Sequence, residues 1–598
     1  MKAGNNLESW DYSNIQINCW SNPFFNNMKF LIPITICVLF ILFLFYPTAL
    51  YSSAKKELYG DFFEADIDNI LENMSLKEKI GQILMFGFKG YDIDDDYRKW
   101  ISSGELGNIK IFLRNVKSKT QLSTLVTDIL IYNDNTRLRI PPFIATDLEG
   151  GMVNHIRYDG IPLAPSAALV SASGDYKLAR LAAKLIANNL LSAGINMNLA
   201  PCFDVLTTPE NRVIDTRSYS SDPEVVYRMA SIFIDEHRKL GIITVPKHFP
   251  GHGMSNFDSH TTVGIVDIDL EKILKIHILP YLNAQGDGTL DALMVSNIIY
   301  SSIDKNYPAS LSSPVINGLL RDYLGFRGIV VTDDLEMKGA EGVATDPTNA
   351  FILSFNAGCD ILLFAHSKEV HKKLVDEVPV LFTSGVLNEK ILDEKVRRVL
   401  YLKKKYLKKF YEIKEDRGAN EILVNTTEKQ VRDRIGKGIT LLLNKTGKST
   451  NEFFREMRNN SVKGIIISPS DTFTSLSSKN LPDWKVIDAW YLYRNRKNKK
   501  RVRYLTNKIK GYKFAVVGFS NEKHLLWLKI LDKYKIPYAL FIVDHPLLAL
   551  NAINNAEIAV TSYGSFLTSV DAMFRRVFDV GKFTGVFPYK FDNGLPAN

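Results

Sequence analysis

Cysteine is scarce in this sequence: four in 598 residues (Cys19, Cys37, Cys202 and Cys359), far apart and with no CxxC spacing. That argues against a disulfide framework and against a cysteine-built zinc site. Internal repeats and low-complexity tracts are missing, and glycine (36) and proline (23) are not in excess. Collagen-like and disordered chains are therefore disfavoured. Long apolar runs are also lacking, with one exception, so the chain is not a polytopic membrane protein. What is present is ordinary globular composition, 46% hydrophobic and 23% charged, in a chain long enough for more than one domain. The net charge of +9 is local. Residues 491–513 (YLYRNRKNKKRVRYLTNKIKGYK) hold ten Lys or Arg and no acid, and the remainder of the chain sums to −1. The run carries no nucleic-acid-binding motif, so nucleic acid is not an expected partner. It reads as a solvated face or, more sharply, as a contact for an anionic wall or membrane.

The one long apolar run is Phe30–Tyr46, seventeen residues without a charge. As a helix it would reach roughly 26 Å, just short of the ~30 Å hydrocarbon core, and it exceeds the usual signal h-region of about 7–15 residues. Met28-Lys29 before it resembles a second start with a short basic n-region, and Ser52-Ser53-Ala54 offers a cleavage site. An uncleaved anchor and a cleaved signal both fit. Either delivers the rest of the chain across a membrane.

Beyond this segment, eight short apolar runs alternate with stretches of helical period. They are 82–86, 108–112, 142–146, 195–199, 242–245, 292–296, 328–332 and 360–364. Helical candidates between them include 176–193 and 222–240, the second opened by Ser-Asp-Pro, a good helix start. Eight strand–helix alternations predict a parallel sheet closed as a (β/α)8 TIM barrel. An open doubly wound sheet should carry a glycine-rich phosphate turn after its first strand, and Gly87-Phe-Lys-Gly90 is too weak for one. The expected organisation is an N-terminal tail with the apolar segment (1–56), a barrel (57–412) and a smaller α/β sandwich (413–598). For the sandwich, strands are expected at 440–443, 464–468, 514–518, 538–543 and 557–561.

In such a barrel the active site is built where the strands end. Strand three delivers Asp147, strand four runs into Asp204, strand five ends in Lys247-His248 and strand seven in Asp333-Asp334. Acids and bases at four ends of one barrel are hard to read as packing. Strand five continues as Lys247-His-Phe-Pro-Gly-His-Gly-Met-Ser-Asn-Phe-Asp-Ser-His260. His248, His252 and His260 could be read as metal ligands, but Pro250, Gly251 and Gly253 prevent the regular helix that would align them. The alternative is a loop carrying Asp258 and His260 two apart. In an extended segment both side chains point the same way, so the carboxylate can orient the imidazole and support its charge.

Lys-His-Phe-Pro-Gly-His-Gly followed by Asp-Ser-His resembles the signature of family 3 glycoside hydrolases, in the β-N-acetylglucosaminidase branch acting on peptidoglycan fragments. Thr-Asp-Leu-Glu-Gly-Gly (146–151), Asn-Leu-Ala-Pro-Cys-Phe-Asp-Val (198–205), Arg217-Ser-Tyr, Pro308-Ala-Ser-Leu-Ser, the stretch 320–335 and Ala357-Gly-Cys-Asp support it. The likeness spans about 70–405 and weakens afterwards, where 439–444 and 580–588 resemble the accessory sandwich of two-domain members. The resemblance implies a retaining exo-β-N-acetylglucosaminidase acting on muropeptide-like glycans. Asp333 matches the nucleophile, His260 the general acid/base and Asp258 its partner. Asp147, Arg217, Lys247 and His248 match residues that grip the sugar. No metal or organic cofactor is implied. A histidine acid of unperturbed pKa near 6.5 can serve at neutral pH, aided by the adjacent carboxylate.

Leu148, Met152, Met254-Ser255 and Asn297 depart from the family pattern and put the aglycone side and the loop's closing geometry in question. A phosphorolytic or β-glucosidase-type member is the alternative within enzymes. A catalytically silent, membrane-tethered glycan-binding protein is the alternative outside them.

Overall fold

The computed structural model describes residues 59–258, 262–414, 417–488 and 506–591. The described residues from Phe62 onward form one compact unit. The apolar run 30–46 lies outside the described residues. Among the described residues, no helix is long and apolar enough to cross a membrane.

Eight parallel strands close into a ring: β1 (Leu84–Phe86), β2 (Asn108–Lys110), β3 (Phe143–Thr146), β4 (Met197–Asn198), β5 (Ile243–Thr244), β6 (Ala292–Val295), β7 (Ile329–Thr332) and β8 (Leu362–Phe364). Ladders join β8-β1-β2-β3-β4-β5 and, separately, β6-β7. Single parallel bridges, Phe249 with Val295 and Val331 with Ile361, complete the circle. All eight strands fall within or overlap the expected runs. The first is shorter than expected, because a capping box of Ser75 and Glu78 starts a helix that continues through Gln82 to Ile83. The helix Tyr176–Ala193 is capped by Asp175 and ends on Gly194 at φ +79°. Pro223–Arg238 is capped by Asp222, as the Ser-Asp-Pro start required.

Alternate strand residues point inward and form a closed apolar core, among them Met85, Phe143, Met197, Ile243, Met294, Val331 and Leu363. The helix Glu389–Lys414 seals the lower end with Val399, Leu402, Tyr406 and Leu407. Because that end is plugged, access to the barrel is from the strand C-termini.

The second sheet has six strands: β9 (Thr440–Asn444), β10 (Gly464–Ser468), β11 (Lys485–Asp488), β12 (Phe514–Phe519), β13 (Tyr538–Ile542) and β14 (Ile558–Thr561). Their order is β9-β14-β13-β12-β10-β11, parallel apart from β9 against β14. Five of these strands were expected. The sixth, β11, reads Lys-Val-Ile-Asp, too short an apolar run to stand out, and it can be this polar because it is an edge strand. Residues 489–505, most of the basic run, lie outside the described residues.

Candidate active site

The local fold of each strand end explains where its side chain goes. After β3, Gly150 (φ +89°) and Gly151 (φ +60°) turn the chain back. A Cβ on Gly151 would lie 2.6 Å from that of Ser166, so the turn needs glycine. The returning strand pairs Leu148 with Asn154, and His155 N donates to Asp147 O at 3.0 Å. This places His155 Nδ1 3.4 Å from the Asp147 carboxylate.

A chain of buried charges follows. Lys110 reaches Asp147 Oδ2 at 2.8 Å, and Lys247 bridges Asp147 Oδ1 at 2.5 Å and Glu149 Oε1 at 2.8 Å. Arg217 grips Glu149 with two parallel bonds of 2.9 and 2.8 Å. Burial alone would push both acids up. The ammonium groups of Lys110 and Lys247 outweigh it and hold Asp147 well below the carboxylate range. Arg217 and Lys247 bring Glu149 down to about 2. Conversely, burial works against the charge of Lys247, but Asp147 and Glu149 raise it. Asp147, Glu149 and Lys247 are thus held ionised.

Asp204 organises the strand-five end rather than facing the cavity. Its carboxylate takes His248 Nδ1 at 2.7 Å and the backbone N–H groups of His248 (3.2 Å) and His252 (2.5 Å). His252 turns to Ser255 Oγ at 2.8 Å, and burial and the neighbouring His248 bring it down to about 4. The two rings stand 5.5 Å apart, edge to face. Among the described residues no group of three metal-ligating side chains forms.

Asp333 is half-buried at the end of β7. Its Oδ1 accepts the N–H of Asp334 at 2.8 Å. Asp334 serves hydrogen bonding, accepting from Ala365 N and Glu336 N at 3.1 Å each, with His366 Nε2 3.0 Å away. Asn297 donates to Asp334 O at 2.7 Å and accepts from Ser310 Oγ at 2.5 Å, tying the ends of β6 and β7 together.

These side chains enclose a cavity of about 200 Å³ lined by Asp147, Arg217, Lys247, His248 and Asp333, together with Lys110, His155 and Asp334. The structure therefore brings five of the seven expected site residues to one place. Asp258 lines a second, outer cavity of about 620 Å³ with Met152, Phe257 and Arg212, and the two cavities share Val153, Val213 and Arg217. His260 lies outside the described residues.

Glu149, Lys110, His155 and His366 were not among the expected site residues. Lys110 carried a signal, a charge inside a buried strand, and Glu149 stood in the same motif as Asp147. His155 and His366 carried none, because only the returning hairpin and the barrel closure bring them in. The outer cavity also receives His545 from the second sheet's domain, which no local pattern announced.

A family model described as glycosyl hydrolase family 3 N terminal domain matches residues 75–402. Beta-hexosaminidase A of Pseudoalteromonas piscicida is 29% identical over 370 residues, 56% of this chain and 61% of its own length, so the chain spans less than two thirds of that relative. Beta-hexosaminidase of Psychromonas ingrahamii is 33% identical over 49% of this chain and 85% of its own. The solved family 3 beta-N-acetylglucosaminidase from Paenibacillus sp. str. FPU-7 is 26% identical with a TM-score of 0.72, covering 86% of this chain and 99% of that one.

Proposed function

The chain belongs to glycosyl hydrolase family 3, and on that footing we propose that it is a retaining exo-β-N-acetylglucosaminidase that removes terminal β-linked N-acetylglucosamine from peptidoglycan-type fragments. The observation that carries the reading is the blind inner cavity, with the half-buried Asp333 at its wall among charged groups already paired and held ionised. Its volume is on the scale of one sugar residue, which suits removal of a terminal unit. The aglycone then extends through the shared boundary into the outer cavity.

In this reading Asp333 attacks the anomeric carbon and forms the glycosyl-enzyme. His260, supported by Asp258, protonates the leaving oxygen and then activates water for the second step. Asp147, Lys247, Arg217 and His248 bind the sugar. Their mutual pairing matters for rate, because donors and acceptors already fixed in place need no reorganisation when charge develops. The names of the curated relatives and of the Paenibacillus enzyme support the choice of sugar.

The test compares an aryl β-N-acetylglucosaminide with the matching aryl β-glucoside, with and without phosphate. Preferential release of free N-acetylglucosamine, unaffected by phosphate, is the expected result. A preference for the glucoside, or a sugar phosphate as product, refutes the reading.

The same proposal places the catalytic unit outside the cytoplasmic membrane, delivered by the segment 30–46, with 491–513 as an anionic contact. Retention of the full chain in membranes through alkaline carbonate indicates the anchor. Release by salt alone indicates the basic run, whose exposed charges act within roughly 10 Å at 0.1 M salt.

A further inference from the structure

Arg217 sits on a turn that its own domain does not hold alone. The turn Asp215–Arg217 begins with Asp215 at φ +33°, a left-handed conformation that costs a non-glycine residue free energy unless its surroundings enforce it. Two groups from the second domain grip that residue. His545 Nδ1 lies 2.9 Å from Asp215 Oδ2. Tyr589 Oη lies 2.7 Å from Asp215 O and 3.0 Å from Ser218 O, so its one hydrogen serves both carbonyls that flank the Arg217 segment. Asp215 and Tyr589 are both buried, so these bonds form out of competition with water.

The gripping residues are themselves tied into the fold. His545 also has positive φ, +47°, and stands at the head of the helix Pro546–Ile553. The extended segment around Tyr589 is stitched to the same stretch of barrel loop: Ser220 Oγ donates to Pro588 O at 2.8 Å and Lys590 N to Ser221 Oγ at 2.8 Å. From the barrel side, Ser218 Oγ donates to Asp204 O at 2.7 Å.

We propose that His545 and Tyr589 of the second domain are positioning residues that clamp Asp215 and so set Arg217 for the sugar in the inner cavity. The accessory domain would then help to bind the sugar of the inner cavity without lining that cavity. Its contribution passes through the strained turn to the Arg217 guanidinium, which borders both cavities. The proposal rests on the reading of Arg217 as a sugar-binding residue.

A double-mutant cycle tests it in the full-length protein, using the aryl β-N-acetylglucosaminide and calorimetric binding of free N-acetylglucosamine. Tyr589→Phe removes only the hydroxyl, and His545→Gln keeps a donor without the imidazole. Each should raise KM and the sugar's Kd about three- to tenfold, as expected for one lost hydrogen bond, with kcat within about twofold. In an Arg217→Lys background, which keeps a cation but loses the two-pronged grip, Tyr589→Phe should cost less than about twofold more. Equal cost in both backgrounds means that Tyr589 does not act through Arg217 and overturns the proposal. So does unchanged binding in Tyr589→Phe. If Arg217→Lys alone leaves KM and Kd unchanged, the sugar-binding reading of Arg217 fails, and the clamp falls with it. Thermal unfolding of each variant separates these outcomes from loss of fold.

Discussion

Both ends of the barrel bury charge, and the two ends use it differently. At the lower end, Lys403 donates to Gln82 Oε1 at 2.7 Å and to Gly107 O at 3.2 Å, and Lys395 donates to Cys359 O at 2.7 Å. These amines donate to carbonyls rather than to carboxylates, so burial prevails: it alone takes Lys403 well below the lysine range, and it brings Lys395 to about 8 although the nearby Asp360 partly offsets it. Packing seals this end, and its polar atoms close gaps between strands and the plugging helix. At the upper end, Lys247 is just as buried but meets two carboxylates, stays charged, and faces a cavity. Buried charge by itself therefore does not mark a functional site. A paired, ionised network bordering space does.

The comparison can be broken at four points, taken from the largest expected effect to the smallest. Asp333→Asn should lower turnover of the aryl glycoside by about 10⁴-fold or more while leaving the melting temperature near wild type, because the side chain is nearly isosteric and only the nucleophile is lost. Residual activity above a few per cent would remove Asp333 from the nucleophile's role.

Lys247→Met should be costly in both respects. It leaves Asp147 and Glu149 with one cation fewer in a buried site, and breaking such a pair costs about 3–5 kcal/mol. Urea unfolding should show that loss and kcat/KM should fall by at least about 10²-fold. A variant with unaltered stability would mean that the network is not held as described.

Asp544 tests the second domain. Burial pushes its carboxyl up to about 7. A carboxyl raised above its unfolded value favours the folded state while protonated. That stability is complete below about pH 4 and is lost as pH rises through about 7, to a total of up to about 4 kcal/mol. Asp544→Asn, which cannot ionise, should flatten this limb, matching wild type at pH 4 and exceeding it at pH 8. Parallel melting curves for the two proteins across that range would refute the assignment.

Lys403→Met should do least. An amine already pushed towards neutrality is exchanged for an apolar side chain of similar length. Stability should change by less than about 2 kcal/mol in either direction, from the two carbonyls left without a donor, and kcat/KM should stay within a factor of two. An activity loss approaching that of Lys247→Met would erase the distinction between the two ends.

Much of this molecule follows from local pattern. Eight buried runs separated by helical period settle the barrel, because a parallel strand buried on both faces must be apolar and a crossover must be a helix. The strand-end rule then leads to Asp147, Lys247, His248 and Asp333 without coordinates, since a barrel directs those ends to one mouth. What the sequence does not contain is partnership between distant positions. Nothing in Glu149 says that it pairs with Arg217. Nothing near Asp204 says that it turns to hold the strand-five end. Nothing around His545 or Tyr589, more than 300 residues beyond Asp215, announces that they grip it. The first two contacts depend on how the barrel's own loops fold over its mouth, and the last on how two separately patterned sheets come to rest against each other. Periodicity reports which face of an element is apolar, but only the packed structure decides which polar group on one element meets which on another.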